Sequence, residues 1–356
     1  MIFNLKDNLI TIDLELAEND ELGTVGLLFQ NLIVTDLDNN LRLDVFLCKY
    51  LEKYSRSKIK SLIDTGNVQL KTKVALVSNM IINSASHKVK VGDEFIIKLT
   101  PEKQDISIKS TAMDLDLVFE DQYLIVINKP AGLVVHPGAA NFDNTLVNGL
   151  LHKFSLEGLS QVNGQFRAGI IHRLDKDTSG IMVVAKDDYT HASLAKQFEV
   201  HSIVRNYRAL AWGLPIKRAG DIETFIRRSD FNRIKMAVSH DKGKSASTHY
   251  KILKSHKSLL SLVDLKLKTG RTHQIRVHMC HIGHSLVGDP LYNADVAKLN
   301  NQLEPTIQNL IKNLNRQALH AYKLGFVHPH TQEYLCFTKP EPLELLELYQ
   351  ALALVD

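Results

Sequence analysis

The segment GIIHRLDKDTSG at 169–180 places side chains that can do chemistry after a short apolar run that is predicted to be a strand. Asp177 and Thr178 follow Asp175 by two and three residues. One interpretation is that both aspartates form a turn and hydrogen-bond their own backbone. Another is the DxDxT motif of phosphatases, in which a carboxylate attacks phosphorus beside magnesium. The phosphatase motif follows an uninterrupted apolar strand, whereas a histidine and an arginine interrupt the run here.

A second candidate for chemistry is the histidine-rich run near the end of the predicted helix 272–283. His278, His281 and His284, with Cys280 between them, have spacings that resemble a zinc site. Gly283 is predicted to end the helix, and neither a carboxylate nor a further cysteine lies nearby to complete four ligands. The sequence therefore predicts no metal.

The net charge of +4 is unevenly distributed along the chain. Residues 1–40 hold one base and eight acids, a local charge of −7, so residues 41–356 carry +11. A positive net charge over residues 41–356 is typical of proteins that bind a polyanion, with nucleic acid the first candidate. A mildly basic enzyme surface would give the same net charge. Three bases, Arg56, Lys58 and Lys60, cluster where a predicted helix begins.

Residues 39–100 resemble the S4 RNA-binding domain. The resemblance rests on RLDxxL followed by SRSxIKxLIxxGxV, which is predicted to form two short helices, the second capped by Ser55 or Ser57. It implies RNA contacts by Arg42, Arg56, Lys58 and Lys60. The family turns through Asn-Gly after the first strand, whereas this chain has Lys71-Thr72, which predicts a wider hairpin loop.

HRLDKDTSG resembles the signature of pseudouridine synthases of the RluA/RluD family, which act on large-subunit ribosomal RNA. Further blocks resemble the same family, closest to its RluD-like group, and follow in the family order. These blocks are INKPAGLVVHPG, NTLVNGLL, VRNYRAL, KTGRTHQIRVHM, VGDPLY and RQALHAYKLGFVHP.

The family resemblance implies which residues act on the substrate. Asp175 is the catalytic carboxylate, Arg276 is its ion-pair partner, and Tyr207 stacks on the flipped uracil. From sequence alone, Arg276 is equally a surface cation and Tyr207 equally a core residue. The other implied substrate contacts, as wedge, pocket wall and RNA contacts, are Arg173, Leu319, Arg271 and His273.

The implied reaction is the isomerisation of uridine to pseudouridine. It exchanges no electrons and loses no group, so no cofactor is expected, and the sequence contains no GxxxxGK[ST], GxGxxG or HExxH motif. A stacked base must be extruded into a pocket before it can be turned. The expected partner is ribosomal RNA or the assembling large ribosomal subunit. The alternative is a catalytically silent RNA-binding assembly factor, which we expect to have lost Asp175, Tyr207 or Arg276.

The elements that position these residues are predicted to form an α+β fold. Short β-type runs, such as YLIVINKP, GIMVVAK and LLSLVDLKL, predict a mainly antiparallel mixed sheet, and helical patterns lie at 143–153, 190–201, 272–283 and 298–314. The predicted organisation is an acidic N-terminal extension (1–38) with one short strand, a small α/β S4-like domain (39–100), a linker (101–113), a catalytic domain (114–345) and a C-terminal tail (346–356).

Composition excludes several other classes of protein. At 44% hydrophobic and 23% charged residues the chain is typical of globular proteins, and no apolar run approaches the ~18 residues of a membrane span. The first residues do not resemble a signal peptide, and three distant cysteines do not suggest a disulfide framework, so a cytoplasmic location is predicted. A monomer is expected because no heptad pattern is present.

Overall fold

The computed structural model describes residues 2–5, 8–13, 28–51, 54–71, 79–99, 108–138, 141–232, 234–293 and 296–355. The chain divides into two units, Met1–Ser107 and Ile108–Asp356, which are described separately. In the described ranges, no helix is long and apolar enough to span a bilayer.

The first unit combines two helices with an antiparallel sheet. The helices are α1 (Leu43–Tyr50) and α2 (Arg56–Asp64), as the sequence predicts, and the Ser55 hydroxyl caps α2 by accepting from the Lys58 amide at 3.3 Å. The strands are β1 (Ile2–Leu5), β2 (Asn8–Asp13), β3 (Leu28–Ile33), β4 (Val68–Leu70), β5 (Met80–Ile81) and β6 (Glu94–Leu99), arranged in the order β1-β2-β3-β6-β4-β5. Residues 72–78, where the wider hairpin loop is predicted, lie outside the described residues.

The acidic extension contains more structure than the single strand that the sequence predicts. Three strands lie before residue 38, and β3 pairs along its length with β6. The predicted boundary at residue 38 therefore follows a strand that shares a sheet with the S4-like segment. Asp38 itself is buried and accepts hydrogen bonds from Thr35, Lys49 and Tyr50, so this acid belongs to the packed unit. Residues 14–27, which hold several of the acids, lie outside the description.

The second unit is built on one large sheet. Its strands are β7 (Asp116–Glu120), β8 (Leu124–Lys129), β9 (Ser179–Ala185), β10 (Val204–Trp212), β11 (Ala219–Arg228), β12 (Met236–Ser239), β13 (Lys244–His256), β14 (Leu260–Leu267), β15 (Leu319–Val327) and β16 (Tyr334–Thr338). The order is β12-β11-β13-β14-β10-β15-β9-β8-β7, with β16 beside β15. The β9–β15 pair is parallel and the other pairs are antiparallel, which confirms the predicted α+β class with a mainly antiparallel mixed sheet.

The described residues of this unit also form six α-helices. They are α3 (Leu146–Phe154), α4 (Asp188–Glu199), α5 (Gln274–His281), α6 (Ala297–Asn300), α7 (Pro305–Leu314) and α8 (Leu343–Ala351). The first three confirm the predicted helical patterns. The predicted helix 298–314 is two helices, because Pro305 has no amide hydrogen to continue a helix and instead starts α7.

Several expectations from sequence are wrong in this unit. The run GIIHRL is not a strand: Ile170 forms only an isolated bridge with Val184, and the regular strand begins at Ser179. The predicted tail contains most of α8, whose Leu348 and Tyr349 are buried in the core. The end of the predicted linker is also packed, since the Thr111 amide donates to the Asn148 carbonyl, while residues 101–107 lie outside the described chain.

Gly180 lets the parallel strands β9 and β15 approach each other. Its φ is 130°, and a Cβ at this position would lie 2.6 Å from both the Cβ and the amide nitrogen of Ala321 and still closer to its carbonyl oxygen. Only glycine fits there without moving a strand, because the neighbouring atoms belong largely to the backbone. Because β9 follows directly after the loop that carries Asp175, this close approach also fixes the end of that loop.

We expect Gly180→Ala to lower the free energy of unfolding by about 3 kcal/mol, since it adds backbone strain and overpacks the β9–β15 contact. Urea unfolding followed by circular dichroism measures the change. Gly138→Ala is the control, because a Cβ at Gly138 meets no atom within 4 Å and its φ is not positive. Equal stability of the two variants would contradict this role for Gly180.

Candidate active site

Asp175 and Arg276, 101 residues apart in sequence, form an ion pair. Asp175 lies in the loop before β9 with its side chain 19% exposed, and its Oδ2 lies 3.1 Å from the Arg276 Nη1. Arg276 is the third residue of α5 and its side chain is 5% exposed. Burial excludes the alternative that Arg276 is a surface cation. Its side chain points inward from the first turn of α5.

Asp289, which the sequence analysis did not single out, holds the other side of the same guanidinium. Its two oxygens accept from Arg276 Nε at 2.7 Å and Nη2 at 2.8 Å, and Oδ1 also accepts from the amides of Leu291 and Tyr292. Burial acts to raise the pKa of Asp289, but the hydrogen bonds and charge of Arg276 outweigh it and hold that pKa below its usual value. Burial likewise acts to lower the pKa of Arg276, and the two carboxylates raise it.

His273 and Tyr292 cover the ion pair from a further side. His273 precedes α5 in a left-handed conformation (φ 55°), with Nδ1 2.8 Å from the Tyr292 hydroxyl and Nε2 4.0 Å from Asp175 Oδ2. The Tyr292 ring centroid lies 5.1 Å from the Arg276 guanidinium carbon, and its hydroxyl accepts from the Met236 amide. Burial lowers the pKa of His273 and raises that of Tyr292 to about 12. His273, predicted to contact RNA, thus also lies beside the carboxylate.

Tyr207 and Leu319 lie in the same apolar cluster, on the adjacent strands β10 and β15. Tyr207 is 7% exposed, Leu319 is 3% exposed, and Leu319 pairs in register with Ala209, two residues beyond Tyr207. Burial raises the pKa of the Tyr207 hydroxyl, and the negative charge of Asp175 adds to the increase. Leu174, the residue before Asp175, lies in the same cluster. The side chains of Tyr207 and Leu319 supply an aromatic and an aliphatic surface in the region of Asp175.

Lys129, also missed from sequence, supports the loop that carries Asp175. Its buried ammonium donates to three backbone carbonyls, those of Pro130 and Leu133 at 2.8 Å and of Lys176 at 2.9 Å. Burial lowers the pKa of Lys129 to about 7, and the nearby carboxylates Asp175 and Asp177 oppose that shift. The lysine therefore joins the end of β8 to the residue after Asp175. Its position in the INKPAG block was the available sequence signal.

The remaining predicted RNA contacts of this unit do not touch Asp175 directly. Arg173 is exposed and its Nη1 lies 3.4 Å from His136 Nε2. The Arg271 Nε donates to the Ser245 carbonyl at 3.0 Å, and its amide donates to the Gln274 side chain, which fixes the approach to α5. Both arginines lie within five residues of the ion pair along the chain.

The bases of the S4-like segment that are predicted to bind RNA differ in their contacts within the first unit. Arg42 makes a two-point contact with Asp44 through Nε at 3.0 Å and Nη2 at 2.9 Å, so its charge is already balanced. Arg56 and Lys60 are exposed on α2 and Lys58 is half-buried there. Among the described residues, these three bases form no ion pair, which leaves them accessible to an external anion.

The histidine run has structural contacts. His278 is buried, with Nδ1 2.8 Å from the Thr248 hydroxyl and Nε2 2.9 Å from the Thr224 hydroxyl. Burial lowers its pKa to about 4. His284 Nδ1 lies 2.8 Å from the carbonyl of Trp212. Because both nitrogens of His278 hydrogen-bond to protein, the ring ties α5 to the sheet.

We expect Asp289→Asn to lower the free energy of unfolding at pH 7 by about 3 kcal/mol, because it breaks a buried ion pair. The depressed pKa of Asp289 means that its contribution is complete above the unfolded-state value of about 4 and is lost as the pH falls further. The difference between wild type and variant should therefore narrow below pH 4 in urea unfolding. Asp230→Asn, which removes an exposed ion pair with Arg227, is the control and should change little. A constant difference at every pH would contradict this account of Asp289.

The chain is similar in sequence to known RNA pseudouridine synthases. Residues 123–281 match the family model described as RNA pseudouridylate synthase. Ribosomal large subunit pseudouridine synthase D of Zymomonas mobilis is 43% identical over 312 residues, covering 87% of this chain and 93% of that protein. The protein of the same name from Neisseria meningitidis serogroup B is 42% identical over 317 residues, covering 88% and 79%.

A solved structure shares the fold. Human RNA Pseudouridylate Synthase Domain Containing 4 superposes with a TM-score of 0.51 at 24% identity, covering 67% of this chain and 93% of that one. With the sequence relatives above, the chain belongs to the RluA/RluD family of RNA pseudouridine synthases.

Proposed function

We propose that the protein isomerises specific uridines to pseudouridine in large-subunit ribosomal RNA, with Asp175 as the catalytic carboxylate. The observation that carries the proposal is the partly exposed Asp175 carboxylate held at 3.1 Å by the buried Arg276. The substrate class is supported by the relatives that are named ribosomal large subunit pseudouridine synthases.

The chemistry needs few groups from the protein. The bond from the uracil nitrogen to the sugar breaks, the base turns while it stays bound, and a carbon of the base rejoins the sugar, so atoms and electrons balance without another reactant. Addition of the carboxylate to the base, its attack on the sugar carbon and its removal of a sugar proton all require an ionised Asp175. Arg276 keeps that charge favourable when substrate excludes water from the site.

The residues around Asp175 suit a base that has left its stack. An extruded base must be held by stacking and apolar contact. Tyr207 provides an aromatic surface and Leu319 an apolar wall, in the cluster that also contains Leu174, the residue before Asp175. We assign to exposed Arg173, two residues before Asp175, the task of filling the gap that the base leaves in the RNA.

Asp289 acts as a positioning residue in this proposal. Its two-point contact leaves Arg276 a single direction for the third nitrogen, which is toward Asp175. The alternative of a silent assembly factor is less favoured, because Asp175, Arg276 and Tyr207 are all present and Asp175 is paired with Arg276. A cytoplasmic, monomeric enzyme without a cofactor stays our prediction.

We expect Asp175→Asn to abolish pseudouridine formation while RNA binding persists, because the amide keeps the shape but lacks the charge. Pseudouridine mapping of ribosomal RNA, in cells that lack the protein and carry either wild type or variant, measures the effect. Asp177→Asn is the matched control, a carboxylate in the same loop without a contact to Arg276 among the described residues, and should retain activity. Full activity of Asp175→Asn would refute the assignment.

The basic residues of α2 should contribute to the affinity of the protein for RNA. We expect replacement of Arg56, Lys58 and Lys60 together by Gln to weaken RNA binding and to lower the slope of log Kd against log salt by about 2, if each base neutralises one phosphate. Fluorescence anisotropy across a potassium chloride series measures both. Arg42→Gln is the comparison, because Arg42 is paired with Asp44, and should change the slope less. An unchanged slope in the triple variant would indicate an ordinary solvated face.

A further inference from the structure

Arg205 is a buried cation beside the proposed active site. It is 8% exposed and lies two residues before Tyr207 on β10. Because side chains alternate across a strand, Arg205 and Tyr207 project from the same face of the sheet. The guanidinium lies beside Lys268 and Gly270, in the segment that leads into α5.

No carboxylate in the described part of the chain balances the charge of Arg205. Among the described residues, its hydrogen bond is to the Lys268 carbonyl, from Nη2 at 3.2 Å, and its Nε is buried without a partner. Its other contact is the Phe198 ring, 5.2 Å from the guanidinium carbon. No carboxylate within the described ranges pairs with it. Burial lowers the pKa of Arg205, with Arg271 acting in the same direction.

A buried charge without a counter-charge is costly. The desolvation penalty is on the order of several kcal/mol per ion, and pairing normally offsets it. The adjacent Arg276 shows the usual arrangement, with carboxylates on two sides. An uncompensated guanidinium in the same region indicates that the missing anion is supplied by a ligand.

Space for that anion lies at Nη1. This nitrogen has no hydrogen bond to a described residue and is not among the buried unpaired atoms, so it remains accessible. A Cβ at Gly270 would lie 2.6 Å from it. Glycine at this position lets Nη1 lie close to the backbone, where a methyl group would displace it. Arg271, which follows directly, adds a second positive charge.

We propose that Arg205 and Arg271 form a binding site for a phosphodiester of the RNA strand, next to the uridine that is isomerised. The inference rests on the proposed function, since it assigns the anion to the substrate. An extruded nucleotide keeps its backbone at the mouth of the pocket. The phosphate then supplies the negative charge that Arg205 lacks, and a guanidinium matches phosphate geometry well.

Loss of the Arg205 charge should change the stability of the RNA-free protein and its affinity for RNA in opposite directions. In Arg205→Met we expect the melting temperature of the free protein to rise by a few degrees, because an unpaired buried charge is removed. We expect Kd for an RNA fragment containing the target uridine to increase about 10-fold and the log–log salt slope to fall by about 0.7, as for one lost contact to single-stranded phosphate.

Gly270→Ala changes the position of Arg205 Nη1 and leaves the charge of Arg205 in place. The added methyl meets the flexible end of Arg205 and not backbone, so the fold should tolerate it. We expect weaker RNA binding and a lower salt slope, without the rise in melting temperature. Lys312→Met, which removes an exposed base on α7, is the control for net charge and should leave the slope unchanged.

Differential scanning fluorimetry and anisotropy titrations with the RNA fragment that mapping identifies distinguish the outcomes. A lower melting temperature with an unchanged salt slope in Arg205→Met, together with an unchanged slope in Gly270→Ala, would overturn the phosphate site. Failure of the proposed function has a different signature, which is wild-type protein that forms no pseudouridine in this RNA.

Discussion

The guanidinium of Arg276, buried between Asp175 and Asp289, is the interaction on which the site depends. A charge at this depth is tolerated because carboxylates approach it from two directions and satisfy Nε and both terminal nitrogens. The two carboxylates differ in exposure, with Asp289 enclosed and Asp175 open to a substrate. The enclosed one fixes the arginine, and the arginine in turn fixes the open one.

The sheet brings these distant segments together. The parallel pairing of β9 with β15, which Gly180 allows, places the Asp175 loop beside the strand that starts with Leu319. Lys129 secures the same loop from β8 by donating to the carbonyl of Lys176. Regular strands thus hold the loop that carries the proposed catalytic carboxylate, a division in which rigid elements give precision and loops give access.

Two buried arginines illustrate how a protein can treat a cation in different ways. Arg276 has its counter-charges built in, as the carboxylates of Asp175 and Asp289. Arg205 has a carbonyl and an aromatic ring instead, and an accessible nitrogen beside Gly270. Preorganised charge suits the chemistry, where geometry must not change, whereas an unpaired charge suits binding, because the substrate supplies its partner.

The sequence by itself determined the α+β class, most helices and the family, since these are local patterns or ordered motifs. The set Asp175, Tyr207 and Arg276 is implied by the family resemblance and stays a prediction. Only the tertiary structure revealed that β3 completes the sheet of the first unit, that α8 is core, and that Asp289, Lys129 and Arg205 surround the site. The reason is physical. Burial and pairing of a charged side chain depend on groups far away in sequence, and no local periodicity encodes which carboxylate or carbonyl will face it.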